Sequence, residues 1–293
     1  MRICLWVRIK LVAEMSYENM GGGPLDYAPC HYGNSRLVFR GPARNVKGDY
    51  IVFLGGTETY GKFIANPFPA LIEQTLGMSC INLGQSNAGV DVFLNDTTIL
   101  ATAANAQQCV VQVTGANNLS NRYYSVHPRR NDRFLRASAL MQSVFRDVDF
   151  TEFHFTRHML RSLAQKAPDS FAMVIGEVQN AWLARMELLL DRIGPKAMLL
   201  WFADHAPGDR TSLINVRDDP FAIERWMIER LRPRVSSVIE VVASPAALAQ
   251  GARGMVFNEF EAPAAHGMLG PAAHEEAATA IIDALGPINA NQN

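Results

Sequence analysis

Cysteine is scarce in this chain. Its 293 residues include only Cys4, Cys30, Cys80 and Cys109, widely scattered. No pair has zinc-ligand spacing, and Cys80 and Cys109 sit in apolar runs. That pattern points to free core thiols in a reducing compartment, hence to a cytoplasmic location. An excess of one charge is missing too. The formal net charge is -1, so nothing global argues for nucleic acid or an anionic membrane as partner. The apolar stretch from Arg2 to Ala13 is interrupted by Arg8 and Lys10. It is too short and too charged to span a bilayer, which excludes stable membrane insertion by this route, and it makes a poor signal peptide. Met15 begins a more ordinary start, so residues 1–14 are expected to be a mis-assigned start or a disordered extension. There is no P-loop, no repeat of domain scale and no low-complexity linker. Neither a metal nor a cofactor is expected.

What is present reads as one large α/β unit. Apolar residues make up 48% and charged residues 19%, ordinary for a globular protein. Residues 1–49 form an N-terminal extension, with an irregular, Gly- and Pro-rich arm or short hairpin over Gly21 to Asp49. Residues 50–293 are expected to form a single domain. Five nearly continuous apolar runs read as buried parallel strands: Tyr50–Leu54, Cys80–Leu83, Cys109–Thr114, Ala197–Ala203 and Val238–Ala243. Helical stretches separate them: 67–76, 90–104, 134–144, 152–165, 172–193 and 220–231, with 271–285 closing the chain. This alternation predicts a three-layer α/β/α fold with a mainly parallel five-stranded sheet.

The loops after the strands carry the chemistry. The first strand ends on Gly55-Gly56-Thr57-Glu58-Thr59-Tyr60-Gly61. Two glycines permit a sharp turn that presents Thr57 at the strand's carboxyl end, where ligands bind in open α/β sheets. The second loop is Asn82-Leu-Gly84-Gln-Ser-Asn-Ala-Gly89 and the third Thr114-Gly-Ala-Asn117-Asn118. Near the C-terminus comes His266-Gly-Met-Leu-Gly-Pro-Ala-Ala-His274, leading into a helix. A hydroxyl becomes a nucleophile when a neighbouring base takes its proton, and the oxyanion that follows needs N–H donors already aimed at it.

This ordered set resembles the SGNH (GDSL-like) hydrolases. The resemblance implies an SGNH/flavodoxin-like fold and an esterase or acyltransferase acting on acyl groups of a carbohydrate or lipid. It places Thr57 as nucleophile, Gly84 and Asn117 as oxyanion donors, and His266 as base. The departures are specific. Thr57 stands for serine, Gly56 for Asp, and Asn118 for the Asp of the third block. Pro263 stands where the family carries the Asp that orients the histidine. Pro-Ala-Ala-His occurs at both 263–266 and 271–274, so local sequence does not choose between His266 and His274 as base. Glu261 and Asp204 are the remaining candidates to orient the ring. The departures keep a second reading open, a catalytically silent relative that binds an anionic or sugar ligand. The blocks around Thr57, Asn87–Asp96 and Ser120–Leu135 are also similar to an alphaproteobacterial family with no assigned activity.

Asn121–Arg136 gathers Arg122, Arg129, Arg130, Arg133 and Arg136 with Tyr123, Tyr124 and His127. One reading is an anion clamp at the mouth of the site, with Arg122, Tyr123, His127, Arg129 and Arg130 binding substrate. The other is a solvated loop whose arginines pair with nearby acids. A transferase using this cluster for a nucleotide or sulfate donor ranks lower without a P-loop. His154 and His158 have helical i, i+4 spacing but no third ligand, which favours a packed or surface pair. Asp204-His205 follows the fourth strand and either lines the cleft or bonds local backbone. Asp91 reads as a first-turn acid. Met159, Leu188–Leu190, Trp182, Trp201 and Trp226 read as core. The substrate is expected to be a small molecule, glycan or lipid derivative; the sequence sets no oligomeric state.

Overall fold

The structure, a computed structural model, describes residues 25–209 and 219–286. The expectation about residues 1–14 falls outside that range. The elements in chain order are β1 (Tyr50–Leu54), α1 (Thr57–Tyr60), α2 (Phe68–Leu76), β2 (Ser79–Asn82), α3 (Val90–Leu94), α4 (Thr97–Asn105), β3 (Gln108–Gln112), β4 (Tyr124–His127) and β5 (Arg130–Ala137). They continue with α5 (Ala139–Val144), α6 (Thr156–Lys166), α7 (Pro168–Ile193), β6 (Ala197–Ala203), α8 (Arg225–Leu231), β7 (Ser237–Val242), α9 (Pro245–Gln250), α10 (Ala262–Ala265) and α11 (Pro271–Leu285).

Five strands form one sheet in the order β2-β1-β3-β6-β7, and every pairing is parallel. Successive side chains of a strand point to opposite faces, and here both faces are covered. Val52, Leu54, Val111, Leu199 and Trp201 point into a core with residues of α4, α7 and α8. Ile51, Phe53, Val110, Leu200 and Phe202 point into another with α2, α9 and α11. Burial on both faces explains why β1 and β6 are apolar throughout, whereas the edge strand β7 alternates buried and exposed residues. It also places the carboxyl ends of β1, β3 and β6 side by side at one end of the sheet.

Residues 25–49 run without regular structure apart from an antiparallel bridge between Cys30 and Phe39. Phe39 packs into the first core. Arg40 donates to the carbonyls of Tyr60, Ile64 and Ala65, tying this segment to the turn after β1.

Three expectations need correction. The helix expected over 90–104 is two helices, because Asp96 caps α4 by accepting from the Thr98 and Ile99 N–H groups at 2.9 and 3.1 Å. The stretch 134–144 begins as strand: Phe134 lies in β5, which pairs antiparallel with β4, and a helix starts only after Ser138 caps it. Tertiary pairing overrides a helical reading there because Phe134 stacks inward while Arg133 and Leu135 face out. Finally, Trp226 is 47% exposed and Leu188 is 45% exposed. The Trp226 indole N–H donates to Glu224 at 2.9 Å instead of entering the core. Trp182, Trp201, Met159, Leu189 and Leu190 are fully buried as expected.

Candidate active site

The turn after β1 is built around one buried side chain. Gln112, the last residue of β3, accepts at Oε1 from the Gly56 N–H at 3.0 Å, the Thr59 N–H at 3.2 Å and the Thr59 hydroxyl at 2.6 Å. A Cβ on Gly55 would lie 2.1 Å from the Thr59 hydroxyl and 2.5 Å from that same Oε1. Glycine is therefore required at 55 by close approach. The result is a strand that breaks straight into α1 with Thr57 as its first residue.

Thr57 opens onto a cleft of about 640 Å³ at the carboxyl ends of the strands. Asn117 and His266 line the same cleft, so three of the four expected catalytic residues share it. Gly84 does not line it. Its N–H donates to Asn82 Oδ1 at 2.9 Å, and a Cβ there would sit 2.4 Å from the Tyr60 nitrogen. Gly84 is a packing residue beneath α1, and its expected role as oxyanion donor is corrected by that geometry.

Asn87 is the residue of this loop that meets Thr57. Its backbone N–H donates to Thr57 Oγ1 at 3.0 Å, and its side-chain Oδ1 lies 3.5 Å from the same hydroxyl. Asn87 has φ 56°, a left-handed conformation that asparagine tolerates better than most residues. Asn118 fixes this loop. Its Oδ1 accepts from Thr156 at 2.7 Å and from Asn117 Nδ2 at 2.8 Å, which turns its own Nδ2 to the Asn87 carbonyl at 3.0 Å. An aspartate at 118 has no such donor, so the amide is what this loop needs. Asn117 is buried, lines the cleft and donates one of its two amide protons to Asn118.

The two histidines separate cleanly. His266 is exposed and lies edge-on to Phe257, with ring centroids 6.1 Å apart. His274 is 1% exposed, and its Nδ1 accepts from the Phe68 N–H at 3.2 Å. Burial, with a smaller contribution from the Arg40 charge, pushes His274 down to about 3. It is a neutral core residue. Glu261 does not orient His266, since its carboxylate accepts from the Asn258 N–H at 3.3 Å within a capping box.

The arginine cluster is not at the cleft. Arg122, Tyr123, His127, Arg129 and Arg130 are absent from its lining. They belong to the β4–β5 ribbon and the loop before it. Arg122 pairs with Glu177, and Arg133 lies over the Phe155 ring. His127 Nδ1 accepts from the backbone N–H groups of Arg129 and Arg130. The expected anion clamp is corrected accordingly: pairing into a ribbon carries these side chains away from the strand ends. The ribbon instead braces the site through buried Asn131, which accepts from the Gly89 and Val92 N–H groups at 3.0 and 3.2 Å. His154 is exposed and His158 lies edge-on to Phe153. Among the described residues, no group of three His, Cys, Asp or Glu side chains is placed to hold a metal. No helix among them is long and apolar enough to cross a membrane.

Four residues of the site are missed by sequence reasoning: Asn87, Gln112, Glu58 and Asn131. Gln112 leaves a signal, a polar residue ending an apolar strand; Asn87 leaves one in its Ser-Asn-Ala-Gly turn. Glu58 lines the cleft beside Thr57. Burial, then the charge of Asp219, pushes its carboxyl up, opposed by the Gln112 hydrogen bond and by Arg157. Arg157 itself forms an ion pair with Asp219 at the cleft wall. Asp204 also lines the cleft and bonds His205 Nδ1 at 2.7 Å.

A family model described as a domain of unknown function (DUF6473) matches residues 15–289. The chain belongs to this family. No curated protein matches it. Among solved structures, this DUF6473 chain is similar to the lipase Lip_vut3 from a goat rumen metagenome, at 13% identity and TM-score 0.42, over 80% of this chain and 97% of that one. It is similar to a mutant of Axe2, an acetyl-xylooligosaccharide esterase from Geobacillus Stearmophilus, at 14% identity and TM-score 0.40, over 84% and 98%. It is also similar to a carbohydrate esterase family 2 enzyme from Corynascus thermopiles, at 12% identity and TM-score 0.41, over 84% and 69%. Superpositions this loose carry no functional argument, which rests on the cleft.

Proposed function

We propose that this DUF6473 protein is an SGNH-like ester hydrolase or acyltransferase with Thr57 as nucleophile, acting on an acylated carbohydrate or lipid. The observation that carries the reading is the cleft at the strand ends that Thr57 shares with Asn117 and His266. The Asn87 N–H, 3.0 Å from Thr57 Oγ1, holds the attacking oxygen in the free protein and passes to the oxyanion once Oγ1 has bonded the carbonyl carbon. Asn117 supplies a side-chain donor. His266 is the base: it takes the Thr57 proton as Oγ1 bonds the carbonyl carbon, then gives that proton to the leaving alkoxide. Water or an acceptor alcohol reverses the sequence and frees Thr57. Among the described residues no carboxylate bonds His266, so on this reading the oxyanion donors supply most of the rate, and turnover is slow.

One observation favours the silent, ligand-binding alternative: the Thr57 hydroxyl is engaged by Asn87 rather than by a histidine. The deciding experiment uses short-chain p-nitrophenyl esters together with an organophosphonate probe. Weak turnover and labelling are expected in the native protein, lost in Thr57→Ala and raised in Thr57→Ser, which removes the methyl beside the attacking oxygen. A folded Thr57→Ser protein that neither turns over nor labels overturns the hydrolase reading and leaves the binding protein.

A further inference from the structure

Gln112 does more than shape the turn. Its Oε1 receives three donors, so the amide cannot be reversed, and Nε2 is left facing Glu58 Oε2 at 3.2 Å. The position of the Glu58 carboxyl is thus fixed from the central strand of the sheet. Consecutive residues of a helix diverge by roughly 100°, so Thr57 and Glu58 reach different points of the cleft. One is the point of attack; the other lies beside it.

The lining is divided in the same way. Ala247, Leu248, Met268 and Leu269 bring an apolar surface from the C-terminal part of the chain. Glu58, Arg157 and Asp219 bring a polar one. An ester with its carbonyl carbon at Thr57 has two arms, and each surface suits one. The acyl arm belongs with the apolar residues and the alcohol arm with Glu58. A carboxyl has about four lone-pair positions; Gln112 takes one and the Glu58 backbone N–H another. The others need a donor, because a half-buried acceptor left without one is costly. Burial and the Asp219 charge favour the protonated form of Glu58, which both donates and accepts; that suits a hydroxyl better than an ammonium group.

We propose that Glu58, held by Gln112, is a specificity-determining residue that selects esters whose alcohol carries a hydroxyl beside the esterified oxygen. The proposal rests on the hydrolase reading above. Sites built to bond a substrate hydroxyl discriminate strongly against analogues lacking it.

The test compares p-nitrophenyl acetate, which has no such hydroxyl, with a mono-acetylated methyl glucoside that has one. The native protein, Glu58→Ala and Glu58→Gln are assayed on both. In Glu58→Ala the ratio of kcat/KM for the glucoside ester over the aryl ester is expected to fall roughly 10- to 100-fold, mainly through KM. Glu58→Gln keeps a donor and an acceptor and is expected to retain most of the ratio. A loss shared equally by both esters, or no loss, overturns the proposal, since a merely structural role moves both alike. Should the native protein cleave neither ester, the hydrolase reading fails, and calorimetric titration with methyl glucoside decides Glu58 separately. Binding weakened at least several-fold in Glu58→Ala then upholds its recognition of hydroxyls; absent or unchanged binding overturns it.

Discussion

His274 shows what one side chain contributes to this fold. Its ring stacks on Phe68 at 5.8 Å and meets Phe202 edge-on at 5.3 Å, with its Nδ1 on the Phe68 N–H. Its folded pKa, about 3, is far below the unfolded value near 6.5. Between those values the unfolded chain binds the proton and the folded chain does not. The contribution of neutral His274 is therefore complete above about pH 6.5 and declines as the solution becomes more acid. At pH 5 the loss from this group is about 2 kcal/mol. His274→Gln, which keeps an acceptor for Phe68 but does not titrate, is expected to be less stable at pH 7 yet to show a shallower fall toward pH 5. Urea melts at both values check this. Parallel slopes for the two proteins mean that acid unfolding begins elsewhere.

At the scale of an element, the α1 turn is held by contact between backbones. Gly84 presses on α1, with its virtual Cβ 2.4 Å from the Tyr60 nitrogen and 2.8 Å from the Thr59 carbonyl carbon. Gly84→Ala must displace α1 or the loop after β2. An overpacking cost of about 1–3 kcal/mol is expected, along with lower turnover, because the same displacement moves Thr57 away from Asn87. Gly77→Ala is the comparison. Nothing lies within 4 Å of its virtual Cβ, so only its φ of 65° opposes the change, at about 1–2 kcal/mol, and turnover per folded molecule should be preserved. Thermal melts and esterase assays on both variants separate the effects. Native turnover in Gly84→Ala shows that α1 need not be held this tightly.

For the whole molecule, the sheet itself reports on folding. Cys80 in β2 and Cys109 in β3 are buried, and burial pushes both thiols up to about 12. A thiol in that state reacts slowly with alkylating reagents at pH 8. Reaching either one requires separating the sheet from its covering helices. Labelling of both by iodoacetamide, read peptide by peptide, is expected to rise with urea along the same curve as the loss of circular dichroism. Cys30 is only half-buried and is expected to label earlier. Rapid labelling of Cys109 in the native protein means the sheet opens locally.

The five central strands were legible because burial on both faces leaves a run such as Ile51-Val-Phe-Leu54 no polar position, which marks it whatever lies around it. The turn at Gly55-Gly56 was legible because close approach at Gly55 admits no side chain. Asn87 was not, since its role depends on the loop after β2 meeting the loop after β1, a contact across 30 positions of the chain. The arginine ribbon misled for a related reason: strand pairing, rather than charge, decides where its side chains go. The two histidines state the division most directly. Pro263-Ala-Ala-His266 and Pro271-Ala-Ala-His274 are the same four residues in the same order. Sequence marked the second as the start of the final helix and read the first as the loop before it, where the structure has a short helix over Ala262–Ala265. Only packing against Phe68 and Phe202 buried one imidazole as a neutral core ring and left the other exposed in the cleft, because a local segment carries no record of which distant surface it will meet.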